Sequence, residues 1–105
     1  MFGEIREMHP LLTPKLTNAT IKRAVRDYYL KGGARKQRVV TKYGDISNWD
    51  MSNVTNMSFM FWHAQSFNQP LNKWNVSNVT NMAGMFKDAT SFNQPLDKWN
   101  VSMVI

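Results

Sequence analysis

Two histidines and four aspartates are the side chains in this sequence best suited to metal binding or acid–base catalysis. His9 and His63 belong to no partner motif, and the chain has no cysteine. The carboxylates are too sparse for the oxygen cage of a calcium site. The sequence contains no H-E-x-x-H, nucleophile elbow or phosphate loop. We therefore expect no enzyme activity, no metal and no cofactor. The aspartates are Asp45, Asp50, Asp88 and Asp97.

Tryptophan and asparagine side chains recur at regular spacing and could also bind ligands. Trp49, Trp74 and Trp99 could stack on a sugar or a base, or they could form a ladder in the core. Six asparagines stand in N-x-[S/T] sequences, which accept glycans in exported proteins; alternatively, they satisfy turn backbone groups. We favour the structural explanation for both sets. The asparagines are Asn18, Asn53, Asn56, Asn75, Asn78 and Asn100.

A gapless 25-residue repeat must position these side chains. Residues 49–73 and 74–98 are identical at 17 of 25 positions, and a third copy begins at residue 99. Self-similarity at a fixed period is typical of architectures in which each unit stacks on its neighbours to bury its apolar face. The sequence therefore predicts a solenoid over residues 45–105, with two repeats and a partial third.

Two apolar patterns alternate within each repeat. Leu71, Trp74 and Val76 have the L-x-x-W-x-V spacing of a short strand with alternate side chains inward. The same strand positions recur at residues 46, 49 and 51 and at 96, 99 and 101. The next segment has apolar residues at i, i+3, i+4 and i+7, which predicts a short helix. We expect an α/β fold of short parallel strands alternating with short helices. The helix positions are Met57, Met60, Phe61 and Ala64, then Met82, Met85, Phe86 and Ala89.

The segment before the repeats is strongly basic and predicts a helical cap. Residues 1–44 hold ten Lys/Arg and three Asp/Glu, whereas residues 45–105 hold three and four. The stretch 17–33 reads as one helix, capped by Thr17 and ended by glycine. A basic link over 34–44 then leads to the repeats. We expect residues 16–44 to cover the first repeat and residues 1–15 to form an extended arm.

The repeat resembles that of the BspA-like leucine-rich-repeat proteins. The pattern L-x-x-W-x-V-S-N-V-T-N-M-x-x-M-F-x-x-A-x-S-F-N-Q-P has the family spacing, and the resemblance covers about residues 17–105. The family's repeat also occurs in mycoplasma lipoproteins, bacterial surface proteins, giant viruses and protists. The resemblance implies a leucine-rich-repeat-like solenoid with an N-terminal helical cap. It also implies protein binding, adhesion or assembly, without catalytic residues.

The sequence shows no export signal and no apolar stretch long enough to span a membrane. In the family that this repeat resembles, the surface proteins carry export signals. This favours an intracellular or virus-associated protein over a surface protein.

Two surfaces of the predicted solenoid are candidates for a protein partner or for self-association. Leucine-rich repeats contact partners through residues between and just before the inward strand positions. The partner-binding candidates are therefore Asp50, Asn72, Lys73, Asn75, Asp97, Lys98 and Asn100. An uncovered strand also invites pairing with another chain. The open C-terminal edge comprises Val101, Met103, Val104 and Ile105.

A basic patch on the cap offers an alternative function, contact with nucleic acid or another polyanion. We favour an ordinary solvated surface for it, and no aromatic interleaving supports base recognition. We favour a protein partner over nucleic acid. The patch comprises Lys31, Arg35, Lys36, Arg38 and Lys42.

Overall fold

The helices of the protein precede its repeats. A computed structural model describes residues 14–31 and 33–105, with the backbone alone for 30 and 31. Helix α1 spans Ile21–Arg26, a π-helix spans Asp27–Lys31, and helix α2 spans Gly33–Tyr43. A 3₁₀-helix, Ile46–Asn48, leads into the first repeat copy. The arm predicted for residues 1–15 lies outside the described residues except for its last two.

Helix α1 forms because one of its sides is apolar and packs into the core. Ile21, Ala24 and Val25 are buried on that side. The helix begins after Thr20 rather than at the predicted Thr17 cap, because residues 17–20 form a separate turn. The Thr17 carbonyl oxygen accepts the N–H groups of Thr20 and Ile21 at 3.1 and 2.9 Å.

Most of the predicted basic link, residues 34–43 of 34–44, lies within helix α2. Its Ala, Lys, Gln and Arg residues are strong helix formers. Val39 and Tyr43, four residues apart, bury the same side of the helix. Gly33 therefore begins a second helical segment instead of ending the only one.

The predicted α/β solenoid of strands alternating with helices is wrong. Within residues 14–31 and 33–105 there is no strand, and no helix follows Ile46–Asn48. Parallel pairing among the described residues is limited to two isolated bridges, Thr17 with Asn53 and Asn56 with Asn81. The repeat copies instead run through successive turns that stack on one another.

Hydrogen bonds between the copies explain why no helix forms at residues 57–64. Alternate N–H groups of the first copy donate to carbonyl oxygens of the second, at 2.8 to 3.0 Å. An α-helix would need these N–H groups for bonds to residue i−4. The donor–acceptor pairs are Met57–Asn81, Phe59–Ala83, Phe61–Met85 and His63–Lys87.

Aromatic rings stack in register from one copy to the next. The ring centroids of Phe61 and Phe86 lie 5.3 Å apart, and those of Trp74 and Trp99 lie 6.4 Å apart, both pairs nearly parallel. Trp49 continues the indole ladder, 6.5 Å from Trp74. Trp49 and Trp74 are buried, as predicted for a core ladder, whereas Trp99 is only half-buried.

Gly84 allows the second copy to turn beneath an aromatic ring of the first. Its φ is +62°, and the ring of Phe59 covers it. We expect Gly84→Ala to lower the free energy of unfolding by about 1–3 kcal/mol, through backbone strain and overlap with that ring. Urea denaturation measures the loss.

Gly44→Ala is the matched control for this substitution. Gly44 also has a positive φ, +85°, but a Cβ there would meet nothing within 4 Å. The control therefore reports backbone strain alone. A loss at Gly84 no larger than at Gly44 would contradict a contribution from the Phe59 ring.

Candidate interaction surfaces

The second and third copies present an apolar surface toward the C-terminal end, which we call the C-terminal face. Its residues are half-buried or exposed, whereas their equivalents one copy earlier are buried: Val101 is 48% exposed and Val76 is 1% exposed. A cleft of about 600 Å³ opens on this face. The C-terminal face comprises Met82, Phe86, Phe92, Leu96, Trp99 and Val101.

The C-terminal face also carries a backbone acceptor of the type that joins the copies. Trp74 donates its indole N–H to the Ile46 carbonyl oxygen at 2.7 Å, and Trp99 donates to the Leu71 carbonyl oxygen at 2.8 Å. The equivalent Leu96 carbonyl accepts the backbone N–H of Trp99 at 3.1 Å. No indole in the described ranges donates to it. The face thus repeats both the apolar and the polar chemistry of the contact between copies.

The predicted C-terminal edge adjoins this face and shares Val101 with it. The Ile105 N–H donates to the Thr80 carbonyl oxygen at 3.0 Å, and the Thr80 N–H donates to the Thr55 carbonyl oxygen at 2.8 Å. The third copy therefore begins in the same register as the second. Of the four predicted residues, Val101, Met103 and Ile105 are exposed, and Val104 is half-buried.

The N-terminal side of the first copy is covered by the segment that leads into helix α1. Leu16 is fully buried there, and its N–H donates to the Asp50 carbonyl oxygen at 3.1 Å. Asn18 accepts the Thr55 N–H at 2.9 Å and donates to the Thr55 hydroxyl at 2.8 Å. These bonds occupy backbone and side-chain groups that would otherwise face a preceding copy.

A family model described as "Mycoplasma protein of unknown function, DUF285" matches residues 34–105. The chain belongs to the DUF285 family. DUF285 is related to the BspA-like mycoplasma repeats, and its match begins in helix α2 and includes every repeat copy. No curated protein and no solved structure matches the chain.

Three of the residues predicted to bind partners stabilise turns in this DUF285 chain. Asp50, Asn75 and Asn100 occupy equivalent exposed positions. Each accepts, through its side-chain oxygen, the N–H of the serine two residues later, at 3.0 to 3.1 Å. Asn78 likewise donates to the Ser52 carbonyl oxygen at 2.8 Å, which supports the predicted asparagine ladder.

The remaining partner-binding candidates lie where the first and second copies meet. Asn72 donates to Asp97 Oδ1 at 3.0 Å and accepts the Lys98 N–H at 3.0 Å. Lys73 is exposed beside them. The structure therefore brings Asn72, Asp97 and Lys98 together as a link between copies at the surface.

Helix α2 divides the predicted basic patch. Lys36 lies over the ring of Tyr28, with its Nζ 4.7 Å from the ring centroid. Arg35, Arg38 and Lys42 are exposed and share another side of the helix at i, i+3 and i+7. The side chain of Lys31, the fifth predicted member, lies outside the described residues.

Two exposed aromatic residues of the first copy were not predicted as part of any site. Phe59 and Trp62 are 50% and 49% exposed, with ring centroids 6.1 Å apart. Trp62 also stacks on His63, with centroids 4.4 Å apart. The signal for them in the sequence is their replacement by Gly84 and Lys87 in the second copy.

Ionisable groups in the repeats are sparse. His63 Nδ1 lies 3.5 Å from Asp88 Oδ2, the one acid–base pair at this range in the described part of the chain, and both side chains are half exposed. Across the same residues, no cluster of three or more His, Cys, Asp or Glu could hold a metal ion.

None of the described helices has the length and apolarity that crossing a bilayer requires.

The Asp45 carboxylate ties the helical cap to the first copy. It accepts the Ser47 hydroxyl at 2.6 Å and the Tyr28 hydroxyl at 3.0 Å. The bond from Ser47, followed by that from Tyr28, holds the pKa of Asp45 below its ordinary value of 3.8. The Ser52 hydroxyl likewise lowers the pKa of Asp50. Both carboxylates are therefore stabilised in their charged form by folding.

We expect these carboxylates to make the folded state sensitive to acid. Because their folded pKa values lie below the unfolded ones, their stabilisation is present above the ordinary carboxyl pKa and is lost as the pH falls below it. Asp45→Asn should flatten this acid dependence, measured by urea denaturation at stepped pH. Tyr28→Phe, which removes one donor, should have an intermediate effect. An acid dependence unchanged in Asp45→Asn would contradict the assignment.

Proposed function

We propose that the chain is a non-enzymatic protein–protein interaction or assembly module that pairs with a second copy of itself through the C-terminal face. The supporting observation is that this face exposes the same kinds of groups that join the copies internally. Phe86 and Trp99 are partly exposed, and the Leu96 carbonyl has no indole donor among the described residues. Covering such a face removes apolar surface from water, at about 25 cal/mol per Å².

The distribution of charge favours contact between two C-terminal faces. Residues 14–44 hold nine Lys/Arg and one Asp, whereas residues 45–105 have a net charge of −1. Pairing through the C-terminal faces keeps the two basic caps apart, so that their repulsion is largely screened. Head-to-tail addition is opposed, because residues at and after Leu16 already cover the first copy. A closed dimer therefore fits better than a filament.

The family relationship agrees with this function. DUF285 is related to the BspA-like repeats, and the resembling leucine-rich-repeat proteins use their repeats for protein binding or assembly. We propose BspA-like membership as the finer assignment. We also propose that the chain has no enzymatic role.

Sedimentation velocity of the full chain over a wide concentration range tests the pairing. We expect the wild type to shift from monomer to dimer as its concentration rises. The double variant Val101→Lys, Met103→Lys should stay monomeric, since these side chains are 48% and 53% exposed, Val101 within the proposed contact and Met103 two residues after it. Their exposure also means that the core should remain intact.

Trp62→Lys is the matched control. Trp62 is also a large apolar residue, 49% exposed, but it lies in the first copy. The second copy has a lysine at the equivalent position, so the fold accommodates it there. This variant should dimerise like the wild type. A wild type that is monomeric throughout, or a Trp62→Lys variant that loses dimerisation as fully as the double variant, would refute pairing through the C-terminal face.

A further inference from the structure

A cleft of about 310 Å³ lies between helices α1 and α2, at the opposite end of the sequence from the C-terminal face. One wall has residues at i, i+3, i+4 and i+7, from the residue before helix α1 to the first residue of the π-helix, and the other has two pairs four residues apart on helix α2. Each set therefore lies on one side of its helix. The walls are Thr20, Arg23, Ala24 and Asp27, facing Arg38, Val39, Lys42 and Tyr43.

The cleft has an apolar base and a cationic rim. Ala24, Val39 and Tyr43 are buried, whereas Arg23, Arg38 and Lys42 are exposed. The Lys42 ammonium lies 5.3 Å from the centroid of the Tyr43 ring, which favours a position of this charge close to the cleft. The buried base fixes the spacing of the two helices from which the three cationic side chains extend.

We infer that this cleft binds a phosphate group. Its three cationic side chains and one carboxylate, Asp27, leave a net charge of +2. A phosphate monoester carries about −1.5 to −2 at neutral pH, so the charges match, whereas a carboxylate carries half as much. Two of the cations are arginines, whose forked N–H groups fit phosphate oxygens. No Asp or Glu of the described residues forms an ion pair with Arg23, Arg38 or Lys42.

The cleft selects some members of the basic patch and leaves others out. Arg38 and Lys42 line it together with Arg23, which comes from the other helix. Arg35 is on helix α2 but does not line the cleft, and Lys36 lies over Tyr28 instead. A discrete phosphate site therefore predicts unequal effects of these basic residues, whereas a diffuse polyanion surface predicts equal ones.

Titration of the ¹⁵N-labelled full chain with inorganic phosphate, phosphoserine and acetate, at constant ionic strength, tests the inference. We expect phosphate and phosphoserine to shift the amide signals of Thr20, Arg23 and Val39, with acetate much weaker. Phosphoserine binding more tightly than free phosphate would indicate that the cleft takes a phosphate carried on a larger molecule. Arg38→Gln should weaken phosphate binding about tenfold, and Arg35→Gln should leave it unchanged.

Lys42→Gln provides a second variant if Arg38→Gln alters the fold, as judged by its amide spectrum without ligand. It should also weaken phosphate binding several-fold. The inference is overturned if phosphate leaves these amides unshifted, if acetate binds equally well, or if Arg35→Gln weakens binding as much as Arg38→Gln. Equal losses together with binding of a short DNA duplex would instead indicate a diffuse polyanion surface. Since no residue of the C-terminal face is involved, dimerisation should be unaffected in all these variants.

Discussion

Replacing Phe61 with alanine is expected to lower the free energy of unfolding by about 3–5 kcal/mol, the usual cost of deleting a buried aromatic side chain. The Phe61 ring is fully buried at the centre of the aromatic stack. Its centroid lies 4.5 Å from that of Phe67, 5.3 Å from Phe86 and 6.0 Å from Trp74. Since domains of this kind have about 5–15 kcal/mol of total stability, much of the population could unfold. Urea denaturation followed by near-ultraviolet circular dichroism measures the loss.

Phe86→Ala is the matched control, because Phe86 occupies the same position one copy later. It has equivalent neighbours, with centroids 4.4 Å from Phe92 and 6.5 Å from Trp99, but it is only partly buried. We expect a clearly smaller loss in the monomer. If the C-terminal face pairs, the loss at Phe86 should increase at protein concentrations where dimers form. Equal losses for Phe61 and Phe86 in dilute solution would contradict the open face.

The inward positions of the repeat could be predicted from the sequence, because period and apolar pattern suffice to identify them. Phe61, Leu71, Trp74 and Val76 are all buried as expected. The variable outward positions were also apparent, because the two copies differ there: Phe59 and Trp62 are half exposed. An internal repeat therefore indicates directly which side chains are buried and which are exposed.

Backbone conformation could not be inferred from the same pattern. Apolar spacing of i, i+3, i+4 and i+7 is typical of a helix, yet Phe59, His63 and Asp88 have φ values near +60°. Histidine and aspartate enter this region more often than most non-glycine residues, but phenylalanine does not, so the residue types did not predict these left-handed turns. The left-handed residues turn the chain repeatedly and leave N–H groups free to bond to the next copy. This competition between helix and inter-copy bonds is decided by tertiary stacking, which propensity does not include.

Of the two candidate sites, the C-terminal edge could be predicted from the sequence, whereas the cleft between the helices could not. The C-terminal edge followed from the partial third copy, whose apolar residues could be recognised from the repeat pattern. The cleft between the helices did not follow, because residues 34–44 were interpreted as a link. Only when helix α2 forms do Arg38 and Lys42 share a side and face Arg23. The count of Lys and Arg residues identified the basic region, but it could not show which of these residues line the cleft and which lie outside it.

Replacing Trp74 with alanine is expected to cost a similar 3–5 kcal/mol, because this residue joins all three copies. Its ring is 3% exposed and lies between Trp49 and Trp99, with centroids 6.5 and 6.4 Å away. Its indole N–H donates to the buried Ile46 carbonyl oxygen at 2.7 Å. The substitution removes both the stack and this hydrogen bond. Urea denaturation again gives the loss, and the fluorescence of the remaining tryptophans reports the transition.

Trp74→Phe separates the ring from the hydrogen bond, because phenylalanine keeps an aromatic ring and lacks the indole donor. We expect a loss of about 1–3 kcal/mol, since one buried acceptor bond is left unmade. Trp99→Phe removes the equivalent bond to Leu71, 2.8 Å long and partly exposed to water, and should cost less. A loss at Trp74 as small as at Trp99 would mean that the indole hydrogen bonds add little to the contact between the copies. The Leu96 carbonyl would then contribute nothing to recognition at the C-terminal face, and a partner would be selected by the shape of its apolar surface.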